Sequence, residues 1–170
     1  MGLRILRSFL LLLAGVLAVA LNRIMTGYAV VFGIILVVSA ALTLIYVFLH
    51  FDENINQKVV LEMLADGFAG LVLFTYPNFE QHFLFIVFGF WIFIMGGLYL
   101  VAALMEEKNK PFLWEYALSG IISIVTGFVV VNFDLKSAGT NTAVYFMGFI
   151  MIIYSAAGLY LLFKRKQDVY

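Results

Sequence analysis

The sequence contains no cysteine, and only two prolines and two histidines occur among its 170 residues. Without cysteine the chain can form no disulfide, thiol nucleophile, cysteine-ligated zinc site or iron–sulfur cluster. Charged residues make up only 12%, with ten basic side chains against ten acidic ones. Because nucleic-acid binding requires a basic surface that neutralises phosphates, we expect no nucleic acid as a partner.

Hydrophobic residues make up 65% of the chain, against roughly 45–50% in an ordinary soluble domain. They form six apolar segments, at about residues 5–21, 24–49, 59–76, 83–104, 113–131 and 143–163. A membrane-spanning helix needs about 20 apolar residues, and lipid offers the backbone no hydrogen-bond partner outside the helix itself. The sequence therefore predicts an all-α, polytopic membrane protein with six transmembrane helices in one integral membrane domain, residues 1–170.

The distribution of lysine and arginine predicts the orientation. Eight of the ten basic residues belong to the N-terminus, the second–third loop, the fourth–fifth loop and the C-terminus, and two belong to the other side. Positive residues accumulate on the cytoplasmic side, so we predict a cell (inner) membrane protein with both termini in the cytoplasm. Ala18-Val19-Ala20 has the form of a signal cleavage site. We predict no cleavage, because the first segment matches two later segments of the chain.

The matching segments form an internal repeat of three helix hairpins, at about residues 5–49, 58–104 and 113–163. Each odd-numbered segment has a glycine that is followed seven residues later by a turn-favouring residue: Gly15 by Asn22, Gly70 by Pro77 and Gly127 by Asp134. Each even-numbered segment has a glycine followed seven residues later by another small residue: Gly33 by Ala40, Gly89 by Gly96 and Gly148 by Ser155. Small residues allow close approach of helices in lipid, so we predict that these glycines pack the helices.

A six-helix chain of this length with three glycine-marked hairpins resembles the HdeD family of bacterial acid-resistance membrane proteins. The resemblance is carried by Gly15, Gly33, Gly70 with Pro77, Gly89 with Gly96, Gly127 and Gly148, and by Trp114 at the opening of the third unit. It implies a membrane setting, tolerance of acid or envelope stress, and no catalytic residue. The sequence departs from the family pattern in two ways: only the middle unit has the proline, and Ala40 and Ser155 replace the second glycine.

Polar residues occur at corresponding positions of the odd-numbered segments. Residues four positions apart lie on one helix face. Steps of four back from each glycine lead to Arg7 in the first segment, to Asp66 and Glu62 in the third, and to Ser123 and Ser119 in the fifth. If the units pack around a common axis, these faces form an intramembrane polar cluster. In one hypothesis Arg7 pairs with Glu62 or Asp66, or Asp66 exchanges a proton with a small water pocket. In the alternative, both acids are solvated at interfacial depth, early in a helix whose dipole favours negative charge.

The sequence offers little else for chemistry. The two histidines, His50 and His82, fall on opposite faces of the predicted topology and cannot share a metal ion within one chain. Phosphate-binding loops and Ser–His–Asp arrangements are absent. The aromatic residues between Phe83 and Phe93 are typical of lipid and interface contacts. We therefore predict no catalytic residue, no metal, no cofactor and no enzyme activity.

Three classes of function remain open. The first is a non-enzymatic membrane protein of HdeD type, the second a small transporter or proton-linked channel, and the third a structural or assembly subunit of a membrane complex. Apolar stretches such as Ile34–Val38 argue against a transporter, which needs a polar site near the midplane. Besides the lipid bilayer, a second copy of the chain or another membrane protein stays open as a partner.

Overall fold

The computed structural model describes residues 2–20, 25–49, 57–75, 81–104, 114–132 and 140–164. They form six helices: α1 (Gly2–Ala20), α2 (Met25–Leu49), α3 (Gln57–Thr75), α4 (Gln81–Leu104), α5 (Trp114–Val131) and α6 (Thr140–Lys164). The all-α prediction is thus confirmed for this part of the chain. Asn22, His50, Pro77 and Asp134 lie outside the described residues, as does the side chain of His82.

Three of these helices contain stretches that are long and apolar enough to cross a membrane: Val30–Leu49, Phe83–Leu104 and Trp114–Val131. Two other helices, α1 and α6, contribute the shorter apolar stretches Ile5–Ala20 and Tyr145–Leu161 among the residues described. Helix α3 differs from these five because Lys58, Glu62 and Asp66 lie within it.

The six helices form a ring in which each helix contacts its two neighbours. Packing is most extensive between α4 and α5, between α2 and α3, and between α1 and α6. The two helices of each predicted hairpin contact each other much less, and α5 and α6 least of all. The structure thus differs from a bundle of three self-contained hairpins, because its closest helix pairs join different repeat units.

Glycine explains this pairing. Gly33 approaches Gly70, Gly89 approaches Gly127, and Gly15 approaches Gly148. In each of these three glycine seams, a Cβ atom added to one glycine would lie 2.6–3.1 Å from the carbonyl oxygen of the other. Only a residue without a side chain allows such contact between backbones. Each seam joins an odd-numbered helix to the even-numbered helix of another unit, and the α1–α6 seam closes the ring.

The α4–α5 seam has a second contact of the same kind, between Gly96 and Gly120. A Cβ atom on either glycine would lie 2.8 Å from the other's carbonyl oxygen. Gly120 was not among the predicted packing residues, although it precedes Gly127 by seven positions, the spacing that separates Gly89 from Gly96. By contrast, a Cβ atom on Gly97 would meet nothing within 4 Å.

Large apolar side chains fill the centre of the ring. Phe32, Phe88 and Trp91 are at most 2% exposed, and their rings meet edge to face or stacked, with centroids 5.7–6.1 Å apart. Met95, Met147 and Met151 complete this centre. The outer surface is also apolar: exposed Phe, Leu, Ile or Val side chains occur on all six helices. Such a continuous apolar surface marks contact with lipid or protein, because soluble monomers expose only small apolar patches.

Candidate functional site: a buried ion cluster

An arginine and an aspartate pair inside the ring. Arg7 on α1 donates from Nε to Oδ2 of Asp66 at 2.7 Å, and from Nη2 to Oδ1 of the same carboxylate at 3.0 Å. This is the two-pronged geometry in which an arginine–carboxylate pair is strongest and most directional. Asp66 is 1% exposed. The contact ties α1 to α3, two helices that are not neighbours in the ring.

The Asp66 carboxylate receives two further hydrogen bonds. Ser39 on α2 donates from Oγ to Oδ2 at 3.0 Å, and Trp91 on α4 donates from Nε1 to Oδ1 at 2.9 Å. One carboxylate on α3 therefore accepts hydrogen bonds from α1, α2 and α4. A buried charge is costly unless it is both paired and hydrogen-bonded, and Asp66 meets both conditions.

Glu62 and Lys58 extend the pair toward the N-terminal end of α3. Glu62 Oε2 lies 3.5 Å from Nη1 of Arg7, and Glu62 Oε1 lies 3.9 Å from Nζ of Lys58. The Lys58 ammonium also lies 4.6 Å from the ring centroid of Tyr99 and 4.8 Å from that of Tyr116, within cation–π range. We call Arg7, Lys58, Glu62 and Asp66 the ion cluster. Its two positive and two negative charges cancel.

A small polar cavity lies beside the ion cluster. It has a volume of about 30 Å³ and is lined by Arg7, Ser8, Lys58, Glu62 and Tyr99, among others. A cavity needs roughly 10–15 Å³ to hold one water, together with several polar partners, so this cavity has room for one or two water molecules. The described residues contain no group of three or more His, Cys, Asp or Glu side chains that could hold a metal ion.

The structure brings together three of the five residues named from sequence. Arg7, Glu62 and Asp66 meet, and the two acids are buried, at 8% and 1% exposure. Ser119 and Ser123 do not join them. They line a separate cavity of about 180 Å³ that is bounded by α4, α5 and α6, and that we call the α5–α6 groove. The serines differ because α5 turns its glycines toward α4, which directs its hydroxyl-bearing face toward α6.

Sequence reasoning missed Ser39, Lys58 and Trp91 as members or partners of the site. Trp91 was grouped with lipid-facing aromatics, yet it is buried, as are Phe85 and Phe88, whereas Phe90 and Phe93 are exposed. A signal was available, because the positions of Phe85, Phe88 and Trp91 recur every three residues, which is typical of one helix face. Ser39 gave no such signal, since it stands beside the small residue Ala40 within an apolar run.

The comparisons with known proteins bear on this region. A family model matches residues 66–132. The family is described as a short repeat of unknown function, DUF308, and it is the domain family of HdeD-like membrane proteins. The matched span begins at Asp66 and includes Trp91 and the whole α4–α5 seam, and it excludes Arg7. No curated protein matches the chain. No solved structure matches it either. Together, the apolar helices and this repeat indicate a membrane protein.

Proposed function

We propose that this is a non-enzymatic, multi-pass inner-membrane protein of HdeD type that supports tolerance of acid or envelope stress. In this proposal all six helices cross the membrane and both termini lie in the cytoplasm. The observation that carries it is the filled interior of the ring. Its centre is filled by Phe32, Phe88, Trp91 and methionines, and its polar residues at one end form a charge-balanced cluster.

The ion cluster supports a membrane-spanning α3. A charged side chain near the centre of a spanning helix costs about 2.5–3.5 kcal/mol on insertion scales, and such residues usually face the bundle interior and pair with one another. Asp66 and Glu62 face Arg7, and Lys58 lies over two tyrosine rings. The side of α3 that faces away from the ring is apolar, with Leu61, Leu64 and Phe68 exposed. Helix α3 therefore suits lipid on its outer face although its composition is the most polar.

The interior argues against the transporter alternative. Transporters of known folds place their substrate between discontinuous helices, with polar groups near the midplane. Here the described helices run unbroken, and Trp91, which donates a hydrogen bond to the carboxylate of Asp66, stacks on Phe88 in the buried core. The small polar cavity gives water a place beside the cluster. It supports local hydration of Arg7 and Glu62 rather than passage across the membrane.

A genetic experiment tests the proposed role. A strain that lacks the gene is exposed to low pH, and survival is compared after complementation with the wild-type chain and with the Asp66→Asn, Glu62→Gln double variant. We expect the deletion strain to lose survival at low pH but not at neutral pH, and the double variant to restore survival incompletely. Full survival of the deletion strain, or full rescue by the double variant at normal abundance, would contradict the proposal.

Two further measurements separate the proposal from its alternatives. Purified protein reconstituted in vesicles with a pH-sensitive dye inside should not accelerate proton equilibration beyond that of empty vesicles. A clear acceleration would favour a proton-linked channel. The second measurement uses a reporter that is active only in the cytoplasm, fused after Tyr170. We expect this reporter to be active. An external reporter would invert the predicted topology.

A further inference from the structure

The two acids of the ion cluster differ in their access to water. Glu62 lines the small polar cavity beside the cluster, and its side chain keeps 11% exposure. Asp66 lies about 6 Å further along α3, at 1.5 Å per residue. It does not line that cavity, and its side chain is 1% exposed. Because a proton is passed to a carboxylate directly or through a water molecule, proton exchange with the aqueous phase takes place at Glu62.

The hydrogen bonds of Asp66 reinforce this difference. Its two oxygens accept four hydrogen bonds at 2.7–3.0 Å. Two come from Arg7, one from Ser39 and one from Trp91. A carboxylate offers about four lone-pair sites for hydrogen bonds, so these donors occupy all of them. A proton on Asp66 would have to displace a donor that belongs to another helix.

Lys58 lies at the edge of the ion cluster, where Glu62 attracts it. Its ammonium is 3.9 Å from Oε1 of Glu62, and it also lies over the rings of Tyr99 on α4 and Tyr116 on α5. Lys58 thus connects the first turn of α3 to α4 and α5. It is the second residue of its helix. A lysine near a helix end can extend its long stem and carry its ammonium to the membrane boundary.

Titratable groups from α3 itself and from four other helices surround Glu62. They are Arg7 on α1, Lys58 and Asp66 on α3, Tyr99 on α4, Tyr116 on α5 and Tyr154 on α6. While Glu62 is charged, two cations balance two carboxylates. A proton on Glu62 leaves two cations against one carboxylate in a buried site. Arg7 keeps its two-pronged contact with Asp66, so Lys58 is the cation that leaves.

We propose that Glu62 binds a proton as the pH falls, and that Lys58 then leaves the two tyrosine rings for the membrane boundary at the N-terminal end of α3. The proton comes from water in the polar cavity and turns the carboxylate of Glu62 into a neutral carboxyl group. The pair of Arg7 and Asp66 stays in place and keeps α1 joined to α3. The ion cluster is thus a pH switch with one fixed ion pair and one releasable ion pair. Its use in acid tolerance rests on the proposed function, whereas the movement of Lys58 is a property of the purified protein.

An NMR titration of the full-length protein in detergent micelles tests the switch. Carbon-13 is introduced into the side-chain carboxyl groups of glutamate and aspartate and into Cε of lysine, and conservative variants assign the signals. At neutral pH, the ring currents of Tyr99 and Tyr116 should shift the Lys58 signal upfield of the other lysine signals. On acidification the Lys58 signal should join them, with the same midpoint as the carboxyl signal of Glu62. The signal of Asp66 should not change over that transition.

Two amide variants identify the acid that binds the proton. Glu62→Gln removes the charge and keeps the size of the side chain, so the Lys58 signal should lie at the released position at every pH. Glu115→Gln, which removes the acid of α5, is the matched control and should leave the titration unchanged. Glu62→Asp, which keeps the charge, assigns the carboxyl signal should the amide variant not fold, and the wild-type titration then decides.

Three outcomes would overturn the proposal. They are a Lys58 signal that does not move with that of Glu62, a transition that follows Asp66, and a transition that Glu115→Gln abolishes. Survival at low pH is measured separately in the deletion strain. Lost survival together with an unmoved Lys58 signal refutes the switch alone. Full survival together with a moving Lys58 signal supports the switch and refutes the proposed function.

Discussion

The two sides of α5 show how one helix can close one interface and leave another open. Toward α4, Gly120 and Gly127 bring the backbones into contact, and this is the most extensive helix pair of the ring. Toward α6, the same helix presents Ser119, Ser123 and Thr126, and the two helices barely touch. The residues that α5 presents to its two neighbours are all small, so residue size alone does not decide which interface is tightly packed. Glycine exposes its backbone to a neighbour, whereas serine and threonine carry a side chain that keeps the two backbones apart.

The same contrast holds around the ring. Among the described helices, the three close seams join neighbours from different repeat units through facing glycines, whereas neighbours within one unit pack loosely. A unit of this kind cannot bury its own packing surface, so successive units stack and the last closes on the first. The ion cluster lies inside this ring, where α1, α2, α3 and α4 all contribute to the environment of Asp66. We expect variants of the glycine seams to reduce stability more than variants of the ion cluster.

The largest effect is expected at the α4–α5 seam. In Gly127→Leu, the first added carbon already lies 2.6 Å from the carbonyl oxygen of Gly89, so the helices must separate. Because backbone cannot yield as a flexible side chain does, we expect loss of the folded protein, measured as abundance in membranes and as monodispersity in detergent. Gly97→Ala on α4 is the matched control, since its Cβ atom meets nothing within 4 Å. A folded Gly127→Leu protein would show that this seam is not required.

The next largest effect is expected when the buried ion pair is broken. Arg7→Met leaves the carboxyl of Asp66 buried without the arginine that pairs with it, and removal of one partner of a buried pair typically costs about 3–5 kcal/mol. Arg7→Met combined with Asp66→Leu should recover at least half of that loss, because no partner of this pair is left unpaired. The measurement is the free energy of unfolding in mixed detergent for both single variants and the double variant. Additive losses would show that the two residues do not interact.

A smaller effect is expected from Trp91→Phe. This change keeps an aromatic ring in the core but removes the donor that lies 2.9 Å from Asp66. A hydrogen bond to a charged group is worth about 1.5–3 kcal/mol, so we expect a loss of about 2 kcal/mol in the same unfolding assay. Trp114→Phe provides the control on an exposed tryptophan and should change stability little. Equal effects of the two changes would remove the argument that Trp91 supports the cluster.

The smallest effect is expected at the outer edge of the cluster. Lys58→Gln removes a 3.9 Å ion pair and two cation–π contacts, while Glu62 keeps Arg7 as a partner. A cation–π contact contributes about 0.5–2 kcal/mol and the ion pair is long, so we expect a loss of about 1 kcal/mol. Lys58→Arg should retain most of the stability. A loss as large as that of Arg7→Met would move the centre of the cluster from Asp66 to Glu62.

Much of the fold follows from sequence, because apolar runs of this length are helical in lipid and the glycine spacing repeats three times. The partner of each glycine does not follow. Gly70 faces Gly33 of the preceding unit rather than a residue of its own hairpin, and spacing within one helix carries no information about which helix lies opposite.

Only part of the candidate site could be predicted from the sequence. A buried acid requires a cation, and Arg7 was the candidate on a corresponding helix face, so a pairing with Asp66 could be proposed. The roles of Ser39 and Trp91 depend on how α2 and α4 are rotated about their axes in the ring. An apolar helix that is hydrophobic on every side gives little indication of that rotation.

Cysteine crosslinking across the α2–α3 seam tests the pairing of repeat units most directly, because the natural chain has no cysteine to interfere. A Cβ atom on Gly67 would lie 3.5 Å from Cβ of Ala40, within the usual separation for a disulfide. We expect Ala40→Cys with Gly67→Cys to oxidise within one chain and to resist maleimide labelling. Ala40→Cys with Gly97→Cys, the control, should stay fully labelled. A folded Ala40→Cys, Gly67→Cys protein whose two thiols both remain reactive would contradict the glycine-seamed ring.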